Sequence, residues 1–327
     1  MKDKTSFFIR GFTQSATLTF FSRISGFVRD IFIAAFLGAG IFSDIFLIAF
    51  KLPNLFRRIT AEGALTSACL PVYSKLIKQK GKSFADKFLK VFIFRTAIFL
   101  FLLMIIIQII MPFCVYFLAP GFSDNILALD QITTLTRITI IFMPLISIIA
   151  LLGVATNVSG KFWILSFTPI ILNFCLIISC FFISENWIVK SLPLALATVI
   201  GGILQLIFIL TMIKKSQILQ FTKLNLKSKT IREHIQIKLY LKQTWKKFLP
   251  AAFGGGILQV NLLVDTILAS LLGFGSVSYL YFADRIAQLP LGIIGIALST
   301  ALLTSLSKSS AAKDKKQFSN ELIISLK

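Results

Sequence analysis

SRISGFVRDIFIAAFLGAG, residues 22–40, places Arg23, Arg29 and Asp30 inside a stretch that is otherwise apolar up to a glycine pair. The surrounding run, residues 12–37, is long enough to cross a bilayer. A charge near the middle of a spanning helix costs about 2.5–3.5 kcal/mol on insertion scales, so three of them require a reason. The rest of the chain says what kind of protein bears that cost. Its 327 residues are 56% hydrophobic and 14% charged, with a mean hydropathy of +0.87. A soluble chain of this length needs far more polar surface, and the composition predicts an all-α integral membrane protein.

Apolar runs of spanning length fall at 12–37, 45–72, 88–111, 132–157, 162–183, 191–213, 248–272 and 278–306, which predicts about eight transmembrane helices. The net charge of +21 follows the same alternation. Basic residues collect in the N-terminal tail, between Lys75 and Lys90, at Lys161, between Lys214 and Lys247, and after Lys308. The opposite loops hold only Lys190. This positive-inside pattern places both ends of the chain on the cytoplasmic side. The basic surplus therefore reads as topology and contact with anionic membrane lipid, and a nucleic-acid role is excluded as the reason for it. The first apolar run shows no small-residue cleavage site, so a cleavable signal peptide is not expected. Cys69, Cys114, Cys175 and Cys180 lack metal-type spacing and read as small core residues, and no metal site is expected.

Two stretches repeat. Residues 30–43 read DIFIAAFLGAGIFS and residues 265–278 read DTILASLLGFGSVS, identical at six of 14 positions without a gap. Each copy ends an inside-to-outside span and turns through two glycines into the next, so spans one and seven correspond. That predicts two parallel halves related by an axis along the membrane normal, a transporter plan. The expected organisation is a six-helix N-terminal lobe (1–213), a basic cytoplasmic linker (214–247) and the first helices of a second lobe (248–327).

The second span, DIFLIAFKLPNLFRRITAEGA at 44–64, is as charged as the first. On a straight helix Asp44, Lys51, Arg58 and Glu62 fall within about 40° of one another. Arg57 points elsewhere, although Pro53 can rotate one half of the helix against the other. Span eight adds Asp284 and Arg285. Internal pairing is expected, with Arg58 against Glu62 and with Asp30 or Asp44 against another arginine. Cations of these three spans (Arg23, Arg29, Lys51, Arg57, Arg58 and Arg285) still outnumber the acids (Asp30, Asp44, Glu62 and Asp284). An arginine surplus inside a bundle suits a water-filled cavity that attracts an anion, and guanidinium forks match phosphate. Asn157 and Asn173 read as cross-links between helices.

The segment SRISGFVRDIFIAAFLGAGIFSDIFLIAFKLPNLFRRITAEGALTSACLPVYSK closely resembles the N-terminal signature of the MurJ (MviN) family of lipid II flippases, within the multidrug/oligosaccharidyl-lipid/polysaccharide exporter superfamily. GSVSYLYFADRIAQLPLGIIGIALSTALLTSLSK, residues 275–308, resembles its eighth helix, and APGF at 119–122 matches between them. The resemblance implies a bacterial inner-membrane flippase for undecaprenyl-pyrophosphate-linked disaccharide-pentapeptide, with a two-lobed fold of about fourteen helices around a cationic cavity. The family's cavity arginines fall on Arg23, Arg29, Arg57 and Arg285, with Arg58 kept beside them from the helical wheel. Asp44, Glu62 and Asp284 are the associated gating or positioning acids, to which the charge pattern adds Asp30 and Lys51. Asp265 matches a position that contributes to a sodium site in some members, so the implied driving force is Na+ or the membrane potential. No catalytic residue and no cofactor are implied, because no bond is broken. The implied partners are lipid II and the peptidoglycan synthesis machinery. The sequence ends at ELIISLK where a ninth helix would begin, so against the family it reads as C-terminally truncated. A non-transporting fragment and an exporter of another prenyl-pyrophosphate oligosaccharide stay open as alternatives.

Overall fold

Every regular element that the computed structural model describes, over residues 2–184, 189–219 and 231–288, is helical. The chain divides into two compact units, Met1–Leu280 and Tyr281–Lys327. In the first, α1 (Lys2–Leu37) ends at Gly38, whose φ of +71° lets the chain reverse into α2 (Ile41–Phe56). A π-helical segment, Arg57–Ala64, joins α2 to α3 (Leu65–Lys80), and Gly81 turns the chain into α4 (Lys82–Ile109). Next come α5 (Met111–Leu118), a 3-10 turn at Pro120–Phe122, α6 (Ile126–Thr139), α7 (Phe142–Val158), α8 (Phe162–Cys180) and α9 (Leu192–Lys215). The last long helix among the described residues is α10 (Ile231–Leu271), and residues 276–280 begin another. In the second unit, residues 281–288 are helical.

Five stretches among the described residues are long and apolar enough to cross a membrane: Lys82–Ile109, Ile126–Val158, Phe162–Cys180, Leu192–Lys215 and Ile235–Leu271. They coincide with expected spans three to seven. The first two expected spans are α1 and the rod from α2 through α3, which carry the charged residues. Expected span eight runs past residue 288, outside the described residues. Residues 231–247, read from sequence as linker, are the first turns of α10. At about 1.5 Å per residue its 41 residues reach about 60 Å, twice the hydrocarbon thickness. The Lys-rich end is pinned to α4. Lys87 pairs with Glu233 at 2.8 Å, and Trp245 stacks edge-on against Phe92 and Phe99.

Large apolar side chains cover the outside of α4, with Phe99, Phe101, Leu102, Ile106 and Ile109 all exposed. Such a surface suits hydrocarbon rather than water. Between helices, small residues permit close approach. A Cβ on Gly201 would lie 2.7 Å from Leu172, and one on Gly202 would lie 2.7 Å from Phe142. Several buried hydroxyls are satisfied on their own helices, as where Thr198 donates to the Leu194 carbonyl and Ser147 to that of Met143. Prolines create the harder problem, since each removes the N–H that its i−4 carbonyl expects. The carbonyl orphaned by Pro53, that of Ala49, accepts from Thr139 of α6 at 2.8 Å. The one orphaned by Pro169, that of Leu165, accepts from Thr168 at 2.9 Å.

Candidate anion site and outer latch

Arg29 is buried on α1, 9% exposed, and its charge is answered on two sides. Nε and Nη2 donate to Oδ1 of Asp30 at 2.9 and 2.6 Å, and Nη1 donates to Oδ1 of Asn173 on α8 at 3.1 Å. The side-chain amide of Asn173 donates in turn to the Ser22 carbonyl and to Ser25 Oγ, at 3.2 and 2.8 Å. Asp30 thus finds the arginine partner expected of it, and it is the adjacent one. Arg23, on the same helix, is exposed.

The straight-helix wheel for residues 44–64 fails beyond Phe56. A π-helix has more residues per turn than an α-helix, so Arg57, Arg58 and the residues after them rotate away from the face that Asp44 and Lys51 define. Arg57 Nε donates to Asn54 Oδ1 at 3.0 Å, a contact that orients the guanidinium. Lys51, Arg57 and Arg58 are all half-buried. Thr60, in the same segment, anchors it by meeting Ser147 of α7 at 2.8 Å. The side chain of Glu62 lies outside the described residues.

Of the two acids expected to meet an arginine, Asp30 does, and Asp44 has other partners. Asp44 is fully buried, and its carboxylate accepts from the backbone N–H of Gly275, from that of Ser278 at 2.7 Å and from Ser278 Oγ at 2.6 Å. These are the unpaired donors at the start of the helix opening at residue 276. An anion there satisfies them and the positive end of the helix dipole. Asp44 therefore caps, from across the bundle, a helix 234 positions away in sequence. The repeated turns meet at this point. Gly275, with φ of +95°, lies so close that a Cβ on it would sit 3.4 Å from the Ala39 carbonyl. Ser43, the repeat's counterpart of Ser278, returns its hydroxyl to the Gly38 carbonyl, whereas Ser278 gives its own to Asp44. Beside them, the Pro120–Phe122 turn presses on the end of α10. Gly121 N–H donates to Ser270 Oγ, and Phe122 packs on Phe274.

Asp265 is exposed on α10, and no group of three or more His, Cys, Asp or Glu that could hold a metal ion occurs among the described residues. In the second unit, Arg285 lies over the Tyr281 ring, 4.9 Å from its centroid, and Asp284 accepts from Gln288. Sequence reasoning did not single out Asn54, and it saw in Asn173 a cross-link without its arginine.

The family model described as lipid II flippase MurJ matches residues 33–327. The chain belongs to the MurJ family. It is 35% identical over 292 residues to a probable lipid II flippase MurJ of Buchnera aphidicola subsp. Schizaphis graminum, covering 89% of this chain and 55% of the relative. It is 36% identical over 307 residues to one from Rickettsia prowazekii (91% and 56%) and 32% identical over 305 residues to the lipid II flippase MurJ of Burkholderia cenocepacia (92% and 57%). The chain thus spans about half the length of the curated relatives it matches. A solved lipid II flippase MurJ in an inward closed conformation superposes with a TM-score of 0.73 at 28% identity, over 95% of this chain and 61% of that one. A eukaryotic MATE transporter, AtDTX14, shares the fold with a TM-score of 0.58 at 13% identity, over 98% of this chain and 70% of that one.

Proposed function

We propose that this chain takes part in flipping undecaprenyl-pyrophosphate-linked peptidoglycan precursor, lipid II, across the bacterial inner membrane by alternating access. The observation that carries the reading is Arg29, a charge kept in a buried position of α1 and held there by side chains from two helices. A buried arginine in hydrocarbon is costly and marks a substrate path or an ion pathway, and a planar fork suits a pyrophosphate. Arg23, Arg29, Arg57, Arg58 and Arg285 supply the cationic surface. Asp30, Lys51, Glu62 and Asp284 set its local balance, and Asp44 acts as a latch. With Asp44 capping the helix at 276, the start of α2 is tied to the turn that follows α10, and in this reading the outer side is shut. Release of that carboxylate lets the outer ends part. No bond is made or broken, so binding and movement are the whole task, and the chain is a transporter rather than an enzyme.

In this reading the chain crosses the membrane eight times with both ends cytoplasmic. Residues 1–213 form the N-terminal lobe, 214–247 the basic linker and 248–327 the start of the C-terminal lobe. Na+ at Asp265 or the membrane potential drives the cycle, and the peptidoglycan synthesis machinery receives the cargo. The test is complementation of a bacterium depleted of its own flippase. Growth restored by this chain and lost with Arg29→Ala supports the reading. A chain confirmed in the membrane that fails where a full-length relative rescues contradicts transport by this chain alone.

A further inference from the structure

The seam between α1 and α8 is polar where Arg29 sits. Ser15 and Ser166 hydroxyls meet at 2.7 Å, and further along Asn173 engages Ser22, Ser25 and Arg29 at once. Asn173 is 5% exposed, and both ends of its amide are committed. The Ser22 carbonyl can only accept, so it must face the NH2 group. That leaves Oδ1 for the guanidinium. The flipped amide would set N–H against N–H at Arg29 and oxygen against oxygen at Ser22, so one orientation is selected. The backbone beneath is braced as well. Pro169 stands one turn before Asn173, and Gln205 of α9 donates to the Thr168 carbonyl at 2.6 Å. Asp30 secures one edge of the Arg29 fork, yet it lies next to Arg29 on the same helix and moves with it. Asn173 is a contact that ties Arg29 to a second helix.

We infer that Asn173 is a positioning residue for Arg29: it aims the guanidinium from α8 with a neutral acceptor while Asp30 holds the other edge of the fork, so that a pyrophosphate meets it in a fixed orientation. This rests on the reading of Arg29 as a pyrophosphate ligand. A carboxylate in its place would be a second one on the same fork beside Asp30 and would make the local charge negative, which explains why an amide suits the task.

The test uses the full chain in lipid nanodiscs with two readouts. The first is the rate at which phenylglyoxal, an arginine-specific reagent, modifies Arg29, followed by mass spectrometry. The second is affinity for undecaprenyl-pyrophosphate-linked lipid. Asn173→Ala should speed modification of Arg29 about tenfold and weaken lipid affinity about tenfold, the scale of one hydrogen bond to a charged group. The rate at Arg95, exposed on α4 and outside this seam, should stay unchanged. Ser15→Ala, which breaks the seam elsewhere, should move neither readout. Asn173→Asp should keep Arg29 slow to react while lowering lipid affinity. In an Arg29→Ala background, Asn173→Ala should cost no further affinity. An Arg29 rate equal to the parent's in Asn173→Ala overturns the inference, and so does an equal acceleration by Ser15→Ala. If the parent binds no pyrophosphate lipid while Arg29 still responds to Asn173→Ala, positioning stands and the pyrophosphate reading falls.

Discussion

Replacing Asp44 with asparagine keeps the shape of the side chain and removes its charge. The carboxylate accepts three hydrogen bonds at the start of the helix at 276: two from backbone N–H groups and one from Ser278 Oγ. An amide can offer only its oxygen, which can keep the Ser278 contacts. Its NH2 must then face the Gly275 N–H, donor against donor. One bond to a charged acceptor is lost outright, at about 1.5–3 kcal/mol, and the two that remain fall to neutral strength. A total of about 3 kcal/mol is expected, a shift of about a hundredfold or more in the equilibrium between latched and open outer ends. Hydrogen exchange followed by mass spectrometry in nanodiscs reads this directly, because the Gly275 and Ser278 amides exchange only when the latch opens. Asp44→Asn should raise exchange in a peptide covering 273–280 by about that factor. Peptides from α8, which the latch does not touch, should be unchanged. Exchange at 273–280 equal to the parent's would refute the latch.

Other sites carry further predictions. Gly121→Ala drives a methyl into the backbone of Ser270, which cannot move aside as a side chain would, and should lower the thermal midpoint in detergent by destabilising the chain about 1–3 kcal/mol. Thr139→Val keeps the shape but strips the Ala49 carbonyl of the donor that replaces the one missing at Pro53, at a cost of about 1–3 kcal/mol in the same measurement. Trp245→Ala removes the ring that Phe92, Phe99 and Phe248 contact, so the basic end of α10 should leave α4 and trypsin should cut sooner at Lys238 and Lys242. Lys87→Ala alone should change stability by less than about 1 kcal/mol, because its pair with Glu233 is partly exposed.

The helical class and the charged spans were legible because hydropathy and charge act locally. The repeat was legible for a related reason. Gly38 and Gly273, equivalent in the repeat, both take positive φ where the chain turns, so these equal residues mark equal geometry. The partners of Asp44 were not legible. A carboxylate among basic residues suggests an arginine, whereas the actual donors are backbone N–H groups, which no residue type announces. Helical phase after Phe56 was lost because the wheel assumes α-helical turns, and the π-helical segment shifts every later side chain. Asn173 could be read as a cross-link from its type alone. Its role at Arg29 depends on α1 packing against α8, a tertiary fact.

The central claim is that Arg29 is held in place to take a pyrophosphate. Titrating lipid II into the full chain in nanodiscs, beside Arg29→Ala and Arg95→Ala, tests it most directly. The account predicts saturable binding by the parent and by Arg95→Ala, and a loss of at least about tenfold in Arg29→Ala, the scale of a hydrogen bond to a charged group. Equal affinity in the parent and Arg29→Ala would contradict it.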